Sequence, residues 1–422
     1  MKHNTVDTKA QMVRSNSSPR EIALDVILAV LEDKAFSHIA LREALEAHEE
    51  LPVRDRGLVT RLTEGTIEHM IQLDAILNDY ASIKVSKMKP LIRNLLRMTA
   101  YQILYMDRIP DAAAINEAVK IAKKHKFQGL SGFVNGVSRS IARNRDQILA
   151  GLNDPDKTPL FVRYCLPEWL FQYLDHMYGR TEACRIAEYY ISGDNVNYVR
   201  FRDGHTEEMK GNISDSEAFK QGEITVQDYA SQQVGMIADP KPGDLVVDVC
   251  AAPGGKSCHA AALLNGTGMV DARDLSSEKV RMIDENIRRL GLSNIRTKVW
   301  DARIPDESLI QTDGSGKADI VLCDLPCSGL GIIGKKPDIR YSVSLEDIKS
   351  LQQLQREILK TAVCYVKPGG KLLYSTCTLT REENEDNAAW IETELGLQKV
   401  KEIKFLPGNP SDGFFISEFI KK

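Results

Sequence analysis

The sequence predicts a multidomain chain: an all-α N-terminal domain, a small α+β connecting domain and a C-terminal α/β domain. Three observations predict this order. At 422 residues the chain is too long for one average domain. Apolar residues recur at helical spacing as far as about residue 145. From Lys241 onward, strand and helix patterns alternate, which is typical of a mostly parallel, doubly wound sheet. The expected segments are a disordered lead-in (1–18), the helical domain (19–147), a linker (148–160), the α+β domain (161–235) and the α/β domain (236–422).

The N-terminal domain is predicted to be helical because its apolar residues recur every three to four positions. Ile22, Val26 and Val30 lie on one face of such a helix. Pro90 suits the first turn of a helix through LIRNLLRMTAYQILYM, since the ring fixes φ where no amide donor is needed. Asp111 or the alanine run after it then begins a helix, AAAINEAVKIAKKH, which ends in the basic residues that a helix C-terminus prefers. A further helix covers GFVNGVSRSIARNR.

The remaining elements are predicted from their alternation. In the connecting domain two helices, PEWLFQYLDHMYG and TEACRIAEYYISG, precede a strand, NVNYVRF. In the α/β domain the strands are LVVDVCA, GMVDARDL, IRTKVW, ADIVLCDLP and GGKLLYSTCT. Its helices are KSCHAAALL, SEKVRMIDENIRRLGL and SLEDIKSLQQLQREILKTAVCYV. Ligands of such a sheet bind at the carboxyl ends of its strands.

Composition excludes several classes of protein. With 43% hydrophobic and 27% charged residues the chain is an ordinary globular protein. It has no apolar run of about 18 residues, so no membrane span is expected. The polar start, MKHNTVDTKAQMVRSNSS, is not a secretory signal. The eight cysteines form no CxxC pair and no disulfide-rich spacing, which predicts free thiols, no metal site and a cytoplasmic location.

The net charge of −4 is unevenly distributed. Residues 1–145 hold 22 Lys and Arg against 17 Asp and Glu, whereas the rest holds 33 against 42. A positive front third permits an N-terminal domain that faces a nucleic acid, without demonstrating it.

A glycine-rich turn, Asp248-Val-Cys-Ala-Ala-Pro-Gly-Gly-Lys256-Ser, joins the first strand of the α/β domain to a helix. Glycines let the backbone approach a ligand, and the helix N-terminus offers free amides. The turn lacks both the GxGxxG spacing of dinucleotide folds and the P-loop pattern. It therefore favours a loop that cradles a nucleoside-containing cofactor, with a simple tight turn as the alternative.

Aspartates follow three successive strands. Asp274 lies 19 residues after Gly255, near the distance at which a carboxylate bonds ribose hydroxyls. Asp301 opens the next loop and could accept from an adenine amino group, and Asp324 ends a third strand. A single aspartate here would be read as a helix or turn cap, but three at strand ends favour a cofactor site.

Two cysteine loops follow strands and should face the same edge of the sheet: Asp324-Leu-Pro-Cys327-Ser-Gly and Ser375-Thr-Cys377-Thr. A single loop cysteine is usually inert. Two on adjacent strand ends point to covalent catalysis, in which a thiolate adds to C6 of cytosine and makes C5 nucleophilic. Such chemistry needs an acid at N3 and a base for the C5 proton.

These motifs carry a family resemblance. Residues from about 158 to 419 resemble the Sun-type RNA 5-methylcytosine methyltransferases through GEITVQDYASQ, DVCAAPGGKS, DLPCSGLG, KKPDIRYS, LQREIL, KPGGKLLYSTCTL, EENE and DGFF. Most of residues 20–145 resembles the RNA-binding NusB family through DRGLVTRLTEGTIEH, INEAV and FVNGV. Together they imply the subgroup that methylates small-subunit ribosomal RNA, with a NusB-like domain ahead of a Rossmann-like catalytic domain.

The resemblance implies a role for each matched residue. Cys377 is the nucleophile, Cys327 assists product release, and Asp324 holds the cytosine ring at N3 near the transferred methyl group. The cofactor is S-adenosylmethionine, and its expected contacts are Cys250, Ala251, Ala252, Pro253, Gly254, Gly255, Lys256, Asp274 at the ribose, Asp301 at the adenine, and Asp324. The expected partner is small-subunit ribosomal RNA, with no membrane and no metal. The sequence carries no oligomerisation signal, and a monomer is expected.

The chain departs from the family pattern at two places. Arg340-Tyr341 stands where the family has Lys-Trp, which retains a cation and an aromatic ring, and NVNYVRF replaces a Leu-Arg-Val-Asn segment. Three other functions are alternatives, and each makes a different demand on the sequence. A DNA cytosine methyltransferase would use Cys327 as nucleophile, an RNA-binding assembly factor would be non-enzymatic, and an adenine N-methyltransferase would need an Asp/Asn-Pro-Pro-aromatic loop. The expected reaction is methyl transfer to C5 of one cytosine in 16S ribosomal RNA through a Cys–C6 adduct; the target cytosine is not determined.

Overall fold

The computed structural model describes residues 17–192, 196–211, 213–408 and 410–422. The chain forms two compact units. The helical unit comprises Met1–Ile191 with the segment Lys336–Ser342, and the sheet unit comprises Ser192–Lys335 with Val343–Lys422. The predicted lead-in over 1–18 lies almost entirely outside the described residues. No helix in the described ranges is long and apolar enough to cross a membrane.

The helical unit is all-α in its described part, as predicted. Its helices are α1 (Pro19–Leu31), α2 (Ser37–Glu46), α3 (Val53–Glu68), α4 (Met70–Tyr80), α5 (Pro90–Tyr105), α6 (Asp111–Lys124), α7 (Ser131–Arg143), α8 (Arg145–Asn153), α9 (Leu160–Arg163), α10 (Glu168–Tyr178) and α11 (Arg180–Ser192). Pro90 and Asp111 begin helices as the sequence predicts. Ser18 begins α1 with a reciprocal capping box to Glu21, which satisfies amides that the first turn leaves free.

The sheet unit contains ten strands and six helices in its described residues. The strands are β1 (Val196–Phe201), β2 (Thr206–Lys210), β3 (Ile224–Val226), β4 (Leu245–Asp248), β5 (Met269–Asp274), β6 (Ile295–Val299), β7 (Ala318–Asp324), β8 (Val366–Thr376), β9 (Gln398–Phe405) and β10 (Phe414–Ile420). The helices are α12 (Glu217–Lys220), α13 (Tyr229–Ala238), α14 (Gly255–Leu263), α15 (Ser277–Leu290), α17 (Leu345–Tyr365) and α18 (Glu385–Glu394), while α16 (Ile339–Ser342) belongs to the helical unit.

The large sheet has the order β6-β5-β4-β7-β8-β10-β9, and β1 to β3 form a separate antiparallel sheet ordered β2-β1-β3. Strands β4 to β8 are parallel, whereas β10 pairs antiparallel with both β8 and β9. The parallel part is the predicted Rossmann-like sheet, and its strand order reverses between β4 and β7. Ligands of such sheets bind outside the carboxyl ends of the strands at that reversal.

Both faces of the large sheet are covered, which explains why its strands are apolar almost without interruption. Adjacent residues face opposite sides: Val247 and Cys323 pack toward α17 and α18, whereas Val246 and Leu322 pack toward α13, α14 and α15. These strands could be predicted from the sequence because a strand buried on both faces is a short continuous apolar run, without alternating polar residues.

The unit boundaries differ from the predicted domain boundaries. The predicted linker over 148–160 begins inside α8, which continues to Asn153 because Ile148 is buried in the core of the helical unit. The predicted α+β domain over 161–235 is divided at about residue 191. Its first three helices, α9 to α11, join the helical unit, where Gln72 donates to the Arg163 carbonyl at 2.5 Å. Its later part, with β1 to β3, α12 and most of α13, joins the sheet unit.

The segment Lys336–Ser342 is part of the helical unit although it lies far along the chain. Arg340 is fully buried and donates to the carbonyls of Glu68 at 3.3 Å, Cys165 at 3.0 Å and Tyr190 at 3.4 Å. The Tyr341 hydroxyl donates to a carbonyl of α3 at 2.9 Å. The cation and the aromatic ring retained at this position therefore have packing and hydrogen-bonding partners within the helical unit.

Candidate active site

The glycine-rich turn after β4 is built so that backbone lies where a side chain would not fit. Gly254 is the N-cap residue of α14 and has a φ of +106°, in the region that favours glycine. A Cβ there would lie 3.2 Å from Ile283 Cγ2, whereas a Cβ on Gly255 would meet nothing within 4 Å. The turn therefore leaves open space at the N-terminus of α14, where amides without helical partners favour a ligand.

Asp274 organises this turn from the end of the neighbouring strand, β5. Its carboxylate accepts from the Ala252 amide at 2.9 Å and the Leu275 amide at 2.7 Å, and the Lys279 ammonium lies 2.9 Å away. The side chain is buried. A carboxylate has about four acceptor positions, so Asp274 can hold the turn and still accept from a ligand.

Asp248, the last residue of β4, forms hydrogen bonds that also hold this turn in place. It is buried and accepts from the Ser257 hydroxyl at 2.6 Å and the Cys250 amide at 3.3 Å. Burial raises the pKa of Asp248 to about 7, against the effect of these hydrogen bonds. Sequence reasoning noted Asp248 only as the start of the motif, because burial of a strand-end carboxylate is not visible in spacing.

Asp301, the aspartate predicted at the adenine, lies beyond the end of β6 with its carboxylate bonded to Arg303. The Arg303 guanidinium approaches it to 2.6 Å, and these hydrogen bonds lower the pKa of Asp301 below its usual range. The structure thus gives this residue a local partner that the sequence pattern did not indicate.

Asp324, at the end of β7, connects three predicted motifs. It accepts from the Lys256 ammonium at 2.7 Å and from the Ser375 hydroxyl at 2.8 Å. Burial disfavours the charged ammonium, but Asp324 and the nearby Cys377 raise the pKa of Lys256 above its usual value. The glycine-rich turn, the first cysteine motif and the second cysteine motif therefore meet at one edge of the sheet, as the strand order requires.

The two loop cysteines are in contact. The sulfurs of Cys327 and Cys377 lie 3.3 Å apart, and both residues remain partly accessible. The hydrogen bond to Cys377, burial and the charge of Glu383 raise the pKa of Cys327 well above its usual value, so Cys327 is a thiol at neutral pH. The arrangement brings together one thiol that stays protonated and a second sulfur within hydrogen-bond reach of it.

Two further groups of residues at this edge were missed by sequence reasoning. Glu383 is fully buried beside the cysteine loops, although the sequence shows it only as one letter of EENE. Lys335 lies 2.7 Å from Asp412 and 3.3 Å from Asp228, and burial raises the pKa of Asp412 to about 6. Their segments were matched to a family pattern, but no spacing rule connects residues so far apart.

Within the described residues, no group of three or more His, Cys, Asp or Glu could hold a metal ion.

Comparison with known families defines the class. Residues 235–420 match the model described as 16S rRNA methyltransferase RsmB/F, and residues 17–143 match the NusB family. The chain is therefore a NusB-family domain joined to a Rossmann-like methyltransferase domain. S-adenosylmethionine is the cofactor of this methyltransferase. The residues present fit it: the turn at Gly254 and Gly255 leaves room beside helix amides, with buried carboxylates on either side.

The chain belongs to the family of ribosomal RNA small subunit methyltransferase B. It is 35% identical over 450 residues to the probable ribosomal RNA small subunit methyltransferase B of Bacillus subtilis, covering 96% of this chain and 99% of that protein. The corresponding probable enzyme of Synechocystis is 30% identical, with 87% of each chain covered. The ribosomal RNA small subunit methyltransferase B of Escherichia coli O1:K1 is 30% identical, covering 87% of this chain and 91% of that protein.

Solved structures show the same architecture. The crystal structure of PH0851 superposes with a TM-score of 0.75 at 26% identity, covering 96% of this chain and 99% of that one. A methyltransferase homolog from Pyrococcus horikoshii superposes with a TM-score of 0.55 at 24% identity, covering 64% of this chain and all of the other. The second similarity concerns the fold alone.

Proposed function

We propose that this protein transfers a methyl group from S-adenosylmethionine to C5 of a specific cytosine in 16S ribosomal RNA, through a bond between Cys377 and C6. The observation that carries the proposal is the contact of the Cys327 and Cys377 sulfurs, 3.3 Å apart, at the strand edge where Lys256 meets Asp324. The similarity to ribosomal RNA small subunit methyltransferase B of other bacteria supports the choice of substrate.

The proposed chemistry begins with Cys377. Its thiolate attacks C6, the C5–C6 double bond opens, and the electron pair reaches C5, which becomes nucleophilic. Asp324 holds the cytosine ring at N3 by relaying a proton to it from the Lys256 ammonium that it contacts, and it takes the proton back when the methyl group adds to C5. Bound S-adenosylmethionine supplies an electrophilic methyl group for C5.

Product release uses the second cysteine. A water molecule acts as the base that takes the C5 proton, and the electrons of the C5–H bond restore the C5–C6 double bond as the Cys377–C6 bond breaks. Cys327 is a thiol because its pKa is raised by its hydrogen bond to Cys377, by burial and by nearby charge. We propose that it donates to the departing Cys377 sulfur and so stabilises the leaving thiolate.

The cofactor contacts are proposed on the same basis. The turn from Cys250 to Lys256 would hold the nucleoside and methionine parts against the amides of α14. Asp274 would accept from the ribose and Asp301 from the adenine, in exchange for part of its contact with Arg303. Asp324 would lie nearest the methyl group, since it contacts the Lys256 side chain of that turn.

The first experiment follows labelled methyl from S-adenosylmethionine into small-subunit ribosomal RNA. We expect Cys377→Ala to abolish transfer, and Cys327→Ala to accumulate a covalent protein–RNA adduct that shifts the protein on a denaturing gel. Cys364→Ala is the matched control, because that thiol lies on α17 and donates to the Lys360 carbonyl. Sustained turnover by Cys377→Ala would eliminate the covalent mechanism.

A second experiment separates RNA from DNA as the substrate. A DNA cytosine methyltransferase would use Cys327 as its nucleophile, so its adduct would survive in Cys377→Ala and disappear in Cys327→Ala. Mapping 5-methylcytosine in ribosomal RNA from cells with and without the gene then identifies the target base. We also propose that the protein acts as a cytoplasmic monomer, and that residues 17–143 contribute RNA affinity that falls with rising salt.

A further inference from the structure

The residues next to the two cysteines bond directly to each other. Ser328 follows Cys327 in the first cysteine loop (residues 325–329), and Thr378 follows Cys377 in the second cysteine loop (residues 377–384). The hydroxyls of Ser328 and Thr378 are 2.6 Å apart, and both residues are buried. The distance between the two sulfurs is therefore set by how these loops are held together.

Glu383 is the residue on which those contacts converge. Its carboxylate accepts from the Ser328 amide at 2.9 Å, the Ser328 hydroxyl at 2.5 Å and the Thr380 hydroxyl at 2.7 Å. The Gln355 side-chain amide of α17 donates to it at 3.0 Å. Burial raises the pKa of Glu383 and these four hydrogen bonds oppose that rise. Every partner donates to it, which is the bonding pattern of a carboxylate with all its acceptor positions used.

The surroundings keep Glu383 from moving. Gln355 donates with the same side-chain amide to the Pro326 carbonyl at 2.8 Å, so α17 touches the first cysteine loop beside Cys327. Asn384 accepts from the Thr376 hydroxyl and donates to the Thr378 carbonyl at 3.0 Å, which brackets Cys377 on both sides. A network with every member bonded holds one geometry, because any shift leaves a buried polar group unpaired.

We propose that Glu383 is a positioning residue whose buried carboxylate joins the two cysteine loops and sets the separation of the Cys327 and Cys377 sulfurs. Its catalytic consequence rests on the proposed function, in which both sulfurs act at one cytosine. A displacement of about 1 Å at reacting atoms can cost roughly a hundredfold in rate. The carboxylate is fully buried and bonded to residues of both loops, so it acts through the loops.

The negative charge of Glu383 also affects the protonation of Cys327. It lies close enough to Cys327 to help raise the pKa of that thiol, after the larger effects of the bond to Cys377 and of burial. The same negative charge that positions the loops therefore favours the neutral form of Cys327. Cys327 is therefore the sulfur that this charge helps to keep protonated.

The sharpest test measures the sulfur geometry without any methyl transfer. In glutathione buffers, one glutathione disulfide oxidises the Cys327–Cys377 pair to a disulfide and releases two reduced glutathione molecules. The equilibrium constant is the effective concentration of the two thiols toward each other, and it falls when the loops separate. We compare wild type with Glu383→Gln and with Ser328→Ala, which removes the hydroxyl of the other loop and leaves Glu383 in place.

We expect the effective concentration to fall at least about tenfold in both variants, because each breaks bonds that join the loops. The single-turnover methylation rate should fall about a hundredfold in Glu383→Gln, while the calorimetric affinity for S-adenosylmethionine stays within about twofold. Glu394→Gln, an exposed carboxylate on α18, is the matched control and should match wild type in all three measurements.

Unchanged thiol equilibrium and methylation rate in Glu383→Gln would overturn the proposal. A parallel loss of cofactor affinity and thermal stability would also overturn it, since that pattern means general unfolding and not a shift of the sulfurs. The thiol equilibrium needs no RNA, so it tests whether Glu383 joins the two loops even if Cys377→Ala retains turnover and the proposed function fails.

Discussion

The buried carboxylate of Asp248 gives the sheet unit a pH-dependent stability that can be calculated from the structure. Burial raises its pKa to about 7, from an unfolded value of about 3.9. The folded state therefore binds the proton more tightly than the unfolded state. Stability from this group is fully present below about pH 4 and is lost as the pH rises through 7. Three units at about 1.4 kcal/mol each amount to about 4 kcal/mol.

The perturbation is Asp248→Asn, which keeps the shape and cannot ionise. Its amide can donate to the Ser257 hydroxyl, which rotates to accept, and its oxygen can still accept from the Cys250 amide. We expect the stability of the variant relative to wild type to increase by about 4 kcal/mol between pH 4 and pH 8. In the difference between the two proteins the contributions of other titrating groups cancel.

The assay is equilibrium denaturant unfolding at several pH values, followed by tryptophan fluorescence. Both proteins carry Trp169→Phe, which removes the tryptophan of the helical unit and leaves Trp300 and Trp390 of the sheet unit as reporters. Asp33→Asn, an exposed carboxylate of the helical unit, controls for the change in net charge. A wild-type-minus-variant difference that stays flat from pH 4 to pH 8 would refute the assignment of a raised pKa to Asp248.

Three further predictions concern other contacts. Gly254→Ala places a methyl 3.2 Å from Ile283 at a φ of +106°, so it should cost about 1–3 kcal/mol in unfolding and weaken calorimetric binding of S-adenosylmethionine; Gly255→Ala should leave stability unchanged. Lys256→Met leaves the Asp324 carboxylate without its cation, so it should lower the free energy of unfolding by about 2 kcal/mol and slow methyl transfer. A methyl-transfer rate equal to that of wild type would contradict the role of this pair. Arg340→Met should lower the unfolding free energy of the helical unit by about 2–4 kcal/mol, as followed by loss of far-UV helix signal on heating, because it leaves buried carbonyls unpaired; an unchanged midpoint would contradict this.

The sequence predicted the elements well where burial leaves a periodic signal. Helix α5 begins at Pro90 and α6 at Asp111, since proline and aspartate have specific places in a first helical turn. The strands β4, β5, β7 and β8 were recognisable because both faces are covered. The antiparallel hairpin of β9 and β10 was not predicted, because its pairing with β8 depends on residues from other parts of the chain.

The candidate site, like the fold, was predicted only in part from the sequence. Parallel strands end at one edge of a sheet, so the sequence was enough to predict that Asp324 and Cys377 lie near each other. It could not predict that Asp301 bonds to Arg303, or that Arg340 is buried in the helical unit. Asp301 and Arg303 lie in a loop without regular spacing, and the partners of Arg340 lie far from it along the chain. No periodic pattern in the sequence therefore indicates these contacts.

By itself, the sequence determined the order of helices and strands and the set of reactive side chains at the strand ends, because local spacing and chain direction dictate both. Only the tertiary structure decided that two sulfurs approach to 3.3 Å, that Lys256 pairs with Asp324, and that the buried carboxylate of Glu383 bonds Ser328 of the first cysteine loop. The physical reason is that separations of a few tenths of an ångström and the exclusion of water arise from packing between distant segments. Residue spacing along a chain carries neither quantity.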